Sequence, residues 1–233
     1  MHPAGRLLEV GASWGLFLEE AAQAGYACSG IELAQECAEL VRAQLGIPVF
    51  CGTIEQYAAT DPAPFDVIVM RHCLEHMADP KAALAIARSL LKPDGMLLVV
   101  VPNVRSLAAR AFGRQWEWMV PPNHLYYFSS ATLQALLAQA RFSTVRSRTV
   151  RGDAMNFVHG AIAAGAKAAG VVKAGREQAQ RAGRSVVTVD PSGRLNQVIR
   201  GSTEAFYFVL SPAFMLLERA GLGEQLEIFA RPA

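Results

Sequence analysis

Three groups of residues have the types and spacing for chemistry. The first is "LLEVGASWGLFL" (7–18), where an apolar run carrying Glu9 ends at Gly11. A turn of small residues follows, and Gly15 leads into a helical pattern. Strand, glycine turn and helix start together cradle a nucleotide cofactor, because a helix start presents unpaired N–H groups to an anionic group. The second group is the histidines His72, His76 and His124, which sit in or beside loops at strand ends. A neutral imidazole suits a general base near pH 7. The other two, His2 and His159, lie at the terminus and in a basic segment. The third group is aromatic. "FGRQWEWMVPPN" runs into "HLYYF", so Trp116, Trp118, Tyr126, Tyr127 and Phe128 can wall a pocket beside His124. His76 reads as structural, whereas His72 and His124 are the candidates for acceptor chemistry.

These residues need a frame. Apolar strands are predicted at 6–11, 26–33, 48–52, 65–70 and 96–103, with helices at 15–25, 34–46 and 79–91 between them. Asp79 caps the third of these helices, Pro80 takes its first position, and "KPDG" (92–95) reads as a turn. A further helix over 129–140 and strands over 142–150 and 224–232 complete the pattern. Strands that alternate with helices make an α/β fold with a doubly wound parallel sheet, covered on both faces. Its ligand lies beyond the carboxyl ends of the strands, at the switch point. The 11–15 turn, Glu32, Thr53 to Glu55, Met70 to Cys73 and Asn103 all fall at such ends.

The dinucleotide fingerprint asks for Gly-x-Gly-x-x-Gly, and Ser13 and Leu16 occupy its second and third glycine positions. The pattern Glu/Asp-x-Gly-x-Gly-x-Gly, aligned on Glu9, fails only at Ser13. Downstream, "FDVIVMRHCLEHMADP", "LLKPDGMLLVVVPN" and "NHLYYFSSATLQALLAQARF" follow in order. Together these segments resemble the class I S-adenosylmethionine (SAM) methyltransferases, above all the ubiquinone/menaquinone-type and sugar- or natural-product-modifying branch. The resemblance covers residues 5 to 150 and the last strand. It implies a Rossmann-like seven-stranded sheet with an antiparallel last strand, and SAM at the switch point with S-adenosylhomocysteine as product. On that reading Glu9, Gly11, Ala12, Ser13, Trp14 and Gly15 border the methionine part. Glu32 and Leu33 meet the ribose, where a carboxylate can accept two hydroxyl hydrogen bonds. Thr53, Ile54 and Glu55 border adenine, and Met70, Arg71 and His72 lie under the sulfonium. The branch usually carries a helix ahead of its first strand that closes over SAM. Only about five residues precede that strand here, so the chain is truncated or another segment supplies the lid.

That segment is 151–223, read as a helical insertion between the sixth and seventh strands. The division is thus 1–150 for the SAM-binding core, 151–223 for the insertion and 224–233 for the last strand. Charge sets the insertion apart: residues 141–200 hold 11 Lys/Arg against 3 Asp/Glu, while residues 1–140 hold 9 against 13. "AFYFVLSPAFMLLERAG" (205–221) offers Phe206, Tyr207 and Phe208 as pocket walls, but it is too short to span a bilayer. A cap over the acceptor, a homodimer surface and a shallow peripheral membrane contact are its alternative uses. Cys28, Cys37, Cys51 and Cys73 form no Cys-x-x-Cys pair, which favours reduced thiols, a cytoplasmic location and no metal site. Nucleic acid is disfavoured as a substrate, since no Asn/Asp-Pro-Pro-aromatic motif follows the fourth strand. The expectation is methyl transfer to a small-molecule acceptor, with oxygen favoured. The alternatives are N- or C-methylation on the same fold, or a non-catalytic SAM-binding or partner-binding module.

Overall fold

The computed structural model describes residues 5–150 and 215–233. Most of the insertion, with Phe206, Tyr207 and Phe208, lies outside the described residues.

Seven strands form one sheet: β1 (Arg6–Val10), β2 (Ala27–Glu32), β3 (Val49–Cys51), β4 (Phe65–Arg71), β5 (Leu91–Pro102), β6 (Phe142–Val150) and β7 (Gln225–Pro232). Their order is β3-β2-β1-β4-β5-β7-β6. Strands β1 to β5 pair in parallel, and β7 runs antiparallel to both β5 and β6. The helices are α1 (Leu16–Gln23), α2 (Gln35–Leu45), α3 (Ile54–Ala58), α4 (Pro80–Leu90), α5 (Leu107–Phe112) and α6 (Ser130–Gln139). Neighbouring residues of β1 show why both faces are covered, because strand side chains alternate. Leu7 belongs to the cluster that holds Leu18, Ala38 and Val41 of α1 and α2. Leu8 belongs to the cluster that also holds Ala83 and Leu84 of α4 and Leu133 and Leu137 of α6. The doubly wound reading of the sequence is therefore what the chain adopts.

The α4 start is built as the sequence indicates, and α6 takes Ser129 as its cap. Asp79 accepts the Ala82 N–H with Pro80 at the first position, and Ser129 forms a capping box with Thr132. Three details differ. Lys92 to Gly95 lie within the span of β5 rather than in a separate turn. Leu91 already pairs with Phe65, and the register then jumps to Val67 opposite Met96, so the four residues bulge out of the ladder. Lys92 Nζ donates to Asp66 Oδ1 at 2.7 Å across that bulge. Helix α3 starts at Ile54, directly after a capping box of Thr53 and Gln56. Helix α5, capped by Ser106, falls in a stretch with no predicted element; its six residues are too few for periodicity to register.

The order reverses between β1 and β4, so the crevice outside their carboxyl ends is the switch point. Val150 and Pro102 both pair with Gln225. Both ends of the 151–224 stretch therefore meet the sheet at the carboxyl end of β5, on the same side as that crevice. Asn103, 1% exposed, fastens the return: its Nδ2 donates to the carbonyls of Gly221 and Gly223, and its N–H to that of Glu224.

Candidate active site

The turn after β1 is held by backbone geometry. Gly11 and Gly15 have φ of 78° and 77°, the left-handed region that favours glycine. A Cβ placed on Gly11 would come within 2.9 Å of Cys73 Cβ, and one on Gly15 within 2.7 Å of Val41 Cγ2, so that space is already filled on the protein side. The glycines thus serve the turn and its packing. Ser13, at the position where the pattern asks for glycine, also lies in the left-handed region, at φ 48°. Its side chain is exposed, and its N–H donates to Glu32 Oε2 at 2.7 Å. No side chain caps α1, whose N-cap is Gly15, so its first turn faces the crevice without a competing acceptor.

Glu32 ends β2 as expected, half-buried, and bridges two loops: Oε2 takes the Ser13 N–H and Oε1 the Ala34 N–H at 2.9 Å. Each carboxylate oxygen keeps a further lone pair for a hydroxyl. Trp14 and Leu33 beside it are exposed at 57% and 71%, apolar surface of the kind that suits a nucleoside. Thr53 and Glu55 flank the start of α3, Glu55 exposed and Thr53 engaged in its cap. Three candidates turn inward instead. Ala12 is buried against α1 and α2, while Ile54 and Met70 lie in the main core, so only their backbone can face a ligand. Arg71 is exposed, its guanidinium 5.0 Å from the Phe17 ring centre.

Glu9 is the electrostatic focus of the turn. It is buried at the end of β1, and its Oε2 has no hydrogen-bond partner among the described residues. Burial pushes its carboxyl up from 4.5 to about 8; the Arg71 guanidinium pulls the other way, and the Glu32 charge adds to the rise. The unfolded chain ionises this group near 4.5, so between 4.5 and 8 the native state holds the extra proton. Stability contributed by the protonated group is therefore present at low pH and lost as pH rises through that window. Glu9→Gln removes the effect. Urea unfolding from pH 5 to pH 8 should show the variant gaining on the native chain by more than about 1 kcal/mol; equal slopes would refute a neutral buried Glu9.

The second half of the site follows β4. His72 sits at φ 49°, and its N–H donates to the Val100 carbonyl at 2.8 Å. Its ring stacks on Trp118, with centres 5.1 Å apart and planes 6° apart. The other neighbour of Trp118 is His124, at 5.9 Å and 13°. His124 contacts Tyr127 and stands edge-on to His76, with centres 4.7 Å apart. The expected histidines and two of the expected aromatic residues are thus gathered into one wall. Trp116, 3% exposed, belongs instead to the small core under α5, and Tyr126 faces outward with its hydroxyl on the Ala78 carbonyl.

Glu75 is the residue that sequence reasoning passed over. It lies in a 3₁₀ turn, Leu74–His76, and its side chain is wholly buried. Its backbone carbonyl takes the N–H groups of Leu125 and Tyr126, which pins the His124 loop onto β4. The signal was an acid one residue before His76 and three after His72, but an acid at a helix opening is commonplace. Burial pushes the His124 imidazole pKa down, partly opposed by the Glu75 charge and the Trp118 backbone, so the ring is neutral at pH 7. Cys73 joins the two halves: its Cβ fills the space beside Gly11, and burial pushes its thiol well up, so it stays protonated and inert.

A family model described as a methyltransferase domain matches residues 2–147. The chain belongs to this methyltransferase family. It is 31% identical over 143 residues to a ubiquinone biosynthesis O-methyltransferase of Caulobacter vibrioides, a match covering 57% of each chain. It is 40% identical over 109 residues to the protein of that name from Xylella fastidiosa, covering 45% of this chain and 44% of the relative. The chain therefore matches about half the length of these relatives. Among solved structures, a SAM-dependent methyltransferase of Thermotoga maritima, described as a possible histamine N-methyltransferase, shares 27% identity at a TM-score of 0.52. That match covers 65% of this chain and 69% of the other. A SAM-dependent methyltransferase of Archaeoglobus fulgidus, 18% identical, shares the fold over 98% of this chain and 86% of its own, with a TM-score of 0.59.

Proposed function

We propose that this methyltransferase moves the methyl group of SAM to an oxygen of a small-molecule acceptor. One observation carries the reading. Cys73 places the glycine turn directly against the segment that bears His72 and Glu75, so cofactor crevice and histidine wall share a boundary. The orphaned Glu9 oxygen beneath the turn suits a cationic group such as the α-ammonium of SAM, whose positive charge favours the ionised carboxylate that burial alone disfavours. The uncapped start of α1 suits the carboxylate, and Glu32 suits the ribose. SAM supplies a carbon already activated by positive sulfur, so the protein's main tasks are alignment and the exclusion of water. Trp118 and Tyr127 fix the acceptor's ring against His124 and His72. The acceptor O–H bond breaks and its proton passes to a neutral imidazole of this wall. The oxygen's electron pair then forms the bond to the methyl carbon, and the electrons of the broken carbon–sulfur bond stay on sulfur as a neutral thioether. Oxygen is favoured over nitrogen because the site offers bases to accept a proton, and because the curated relatives are named as O-methyltransferases.

The insertion is the cap in this reading, with Phe206, Tyr207 and Phe208 as walls, because its ends meet the sheet on the crevice side. A homodimer or shallow membrane contact through 151–223 is compatible with that role; among the described residues no helix is long and apolar enough to cross a membrane. Free cysteines at 28, 37, 51 and 73 support a cytoplasmic location.

The test is calorimetric titration with SAM and NAD, followed by turnover on a panel of phenols, catechols and amines. SAM should bind and NAD should not, with methyl transfer to a hydroxyl. NAD binding without SAM binding would overturn the cofactor, and transfer to amines alone would overturn the acceptor atom.

A further inference from the structure

Strands β1 and β4 run in parallel register, with Leu7 opposite Val67 and Glu9 opposite Val69. Leu7, Val67 and Val69 all belong to the cluster under α1 and α2. Side chains alternate along a strand, so Glu9 and Arg71 continue that same face at the carboxyl ends of the two strands. Phe17, in the first turn of α1, packs against this cluster as well, and the Arg71 guanidinium lies 5.0 Å from its ring centre. The start of α1 thus has a buried acid and an exposed cation on the sheet face below it. Neither charge is fully used. Glu9 is 3% exposed, and its Oε2 has no hydrogen-bond partner. The Arg71 side chain makes no hydrogen bond or ion pair among the described residues, and its charge is the one that opposes the effect of burial on Glu9. An arginine held only by an exposed ring contact is free to turn its five N–H donors to a ligand.

We propose that Arg71, together with the start of α1, binds the α-carboxylate of the cofactor, while Glu9 takes the α-ammonium on the same carbon. The inference rests on the cofactor reading above. An amino-acid end carries both charges within a few bonds, so its site needs an anion and a cation on one face, which β1 and β4 supply. The guanidinium fork matches the two oxygens of a carboxylate, and α1 adds N–H groups that no side chain caps. Sequence position alone put Arg71 under the sulfonium. A cation there would repel the positive sulfur. Lying over Phe17, it stands beside the helix start instead. Arg71 then determines specificity for a cofactor with an intact amino-acid end, against nucleoside thioethers that lack one.

The test is calorimetry of the full chain with four probes: SAM, S-adenosylhomocysteine, decarboxylated SAM, which keeps the amine but lacks the carboxylate, and 5′-methylthioadenosine, which lacks both. Arg71→Met removes the charge and keeps a straight side chain over Phe17 at an exposed position. It should weaken SAM and S-adenosylhomocysteine equally, by about tenfold or more. Decarboxylated SAM and 5′-methylthioadenosine should stay within about twofold of their native affinities. Arg71→Lys, which keeps the charge without the fork, should lose less. SAM affinity unchanged in Arg71→Met overturns the proposal and leaves the cofactor reading standing. An equal loss for decarboxylated SAM overturns it too, since the effect would then pass through the charge on Glu9. A gain of SAM over S-adenosylhomocysteine would put Arg71 under the sulfonium after all. A native chain that binds neither SAM nor S-adenosylhomocysteine refutes the cofactor reading and this inference with it.

Discussion

His124→Ala should lower kcat by about 10²–10⁴-fold, the range that a positioned acid–base group contributes, and leave the affinity for SAM within about twofold. The split follows from position. His124 stacks on Trp118 in the loop pinned by the Glu75 carbonyl, whereas the glycine turn is tied to β2 and Glu32. Its low pKa, caused by burial, also sets the pH behaviour. The native enzyme should keep its turnover below the ordinary histidine value, with the acid limb displaced toward low pH. Steady-state kinetics on the true acceptor, with SAM affinity measured separately, checks both statements. A loss under threefold, or a parallel loss of SAM binding, would remove His124 from the chemistry. The substitution empties a buried site beside Tyr127 and His76, so thermal unfolding must accompany it.

Glu32→Ala should weaken SAM by at least tenfold. A charge-assisted hydrogen bond contributes about 1.5–3 kcal/mol, which is about ten- to a hundredfold per bond. The structure adds a second reason. The same carboxylate ties the Ser13 and Ala34 N–H groups together, so its removal frees the turn that should meet the methionine part. Glu32→Gln separates the two contributions, because its single carbonyl oxygen can hold one loop but not both. Its loss should be intermediate. Calorimetry with SAM measures all three forms, and an unchanged Kd in Glu32→Ala would place the ribose elsewhere.

The fold was legible because its signals are local or periodic. Apolar runs marked β1, β4 and β5, Asp79-Pro80 marked a helix start, and the glycine turn marked the switch point. The bulge at Lys92 to Gly95 was not legible, since "KPDG" reads as a turn whether or not Leu91 already pairs with Phe65. In the site, the histidines were found by residue type, but their arrangement was not. Ring stacking of His72, Trp118 and His124 joins residues about fifty positions apart, and nothing in a linear pattern encodes it. Glu75 was missed for the opposite reason. Its neighbourhood is ordinary in sequence, and only burial, a property of the whole fold, makes its carboxylate unusual. Met70 and Ile54 show the same limit: each lies at a strand end or loop that faces the crevice, yet each side chain turns into the core.

Strand β7 lies between β5 and β6, although it comes last in the chain, and the only sheet partner of β6 among the described residues is β7. This has a consequence for biogenesis. On an emerging polypeptide, β1 to β5 can zip together as soon as each crossover helix is made. The far edge of β5 then stays open while about 120 residues are added, and β6 waits with no ladder to join. The last strand must slide into a slot between two waiting partners and complete both sets of hydrogen bonds at once. Such late closure joins residues far apart in sequence and is slow. Until it occurs, Leu97 to Pro102 form an unprotected apolar edge that invites pairing with other chains. The exposed arginines of β6, Arg146 and Arg148, keep the finished outer edge charged, but they shield nothing before β7 arrives. Aggregation during synthesis, rather than loss of the folded state, is the hazard built into this strand order.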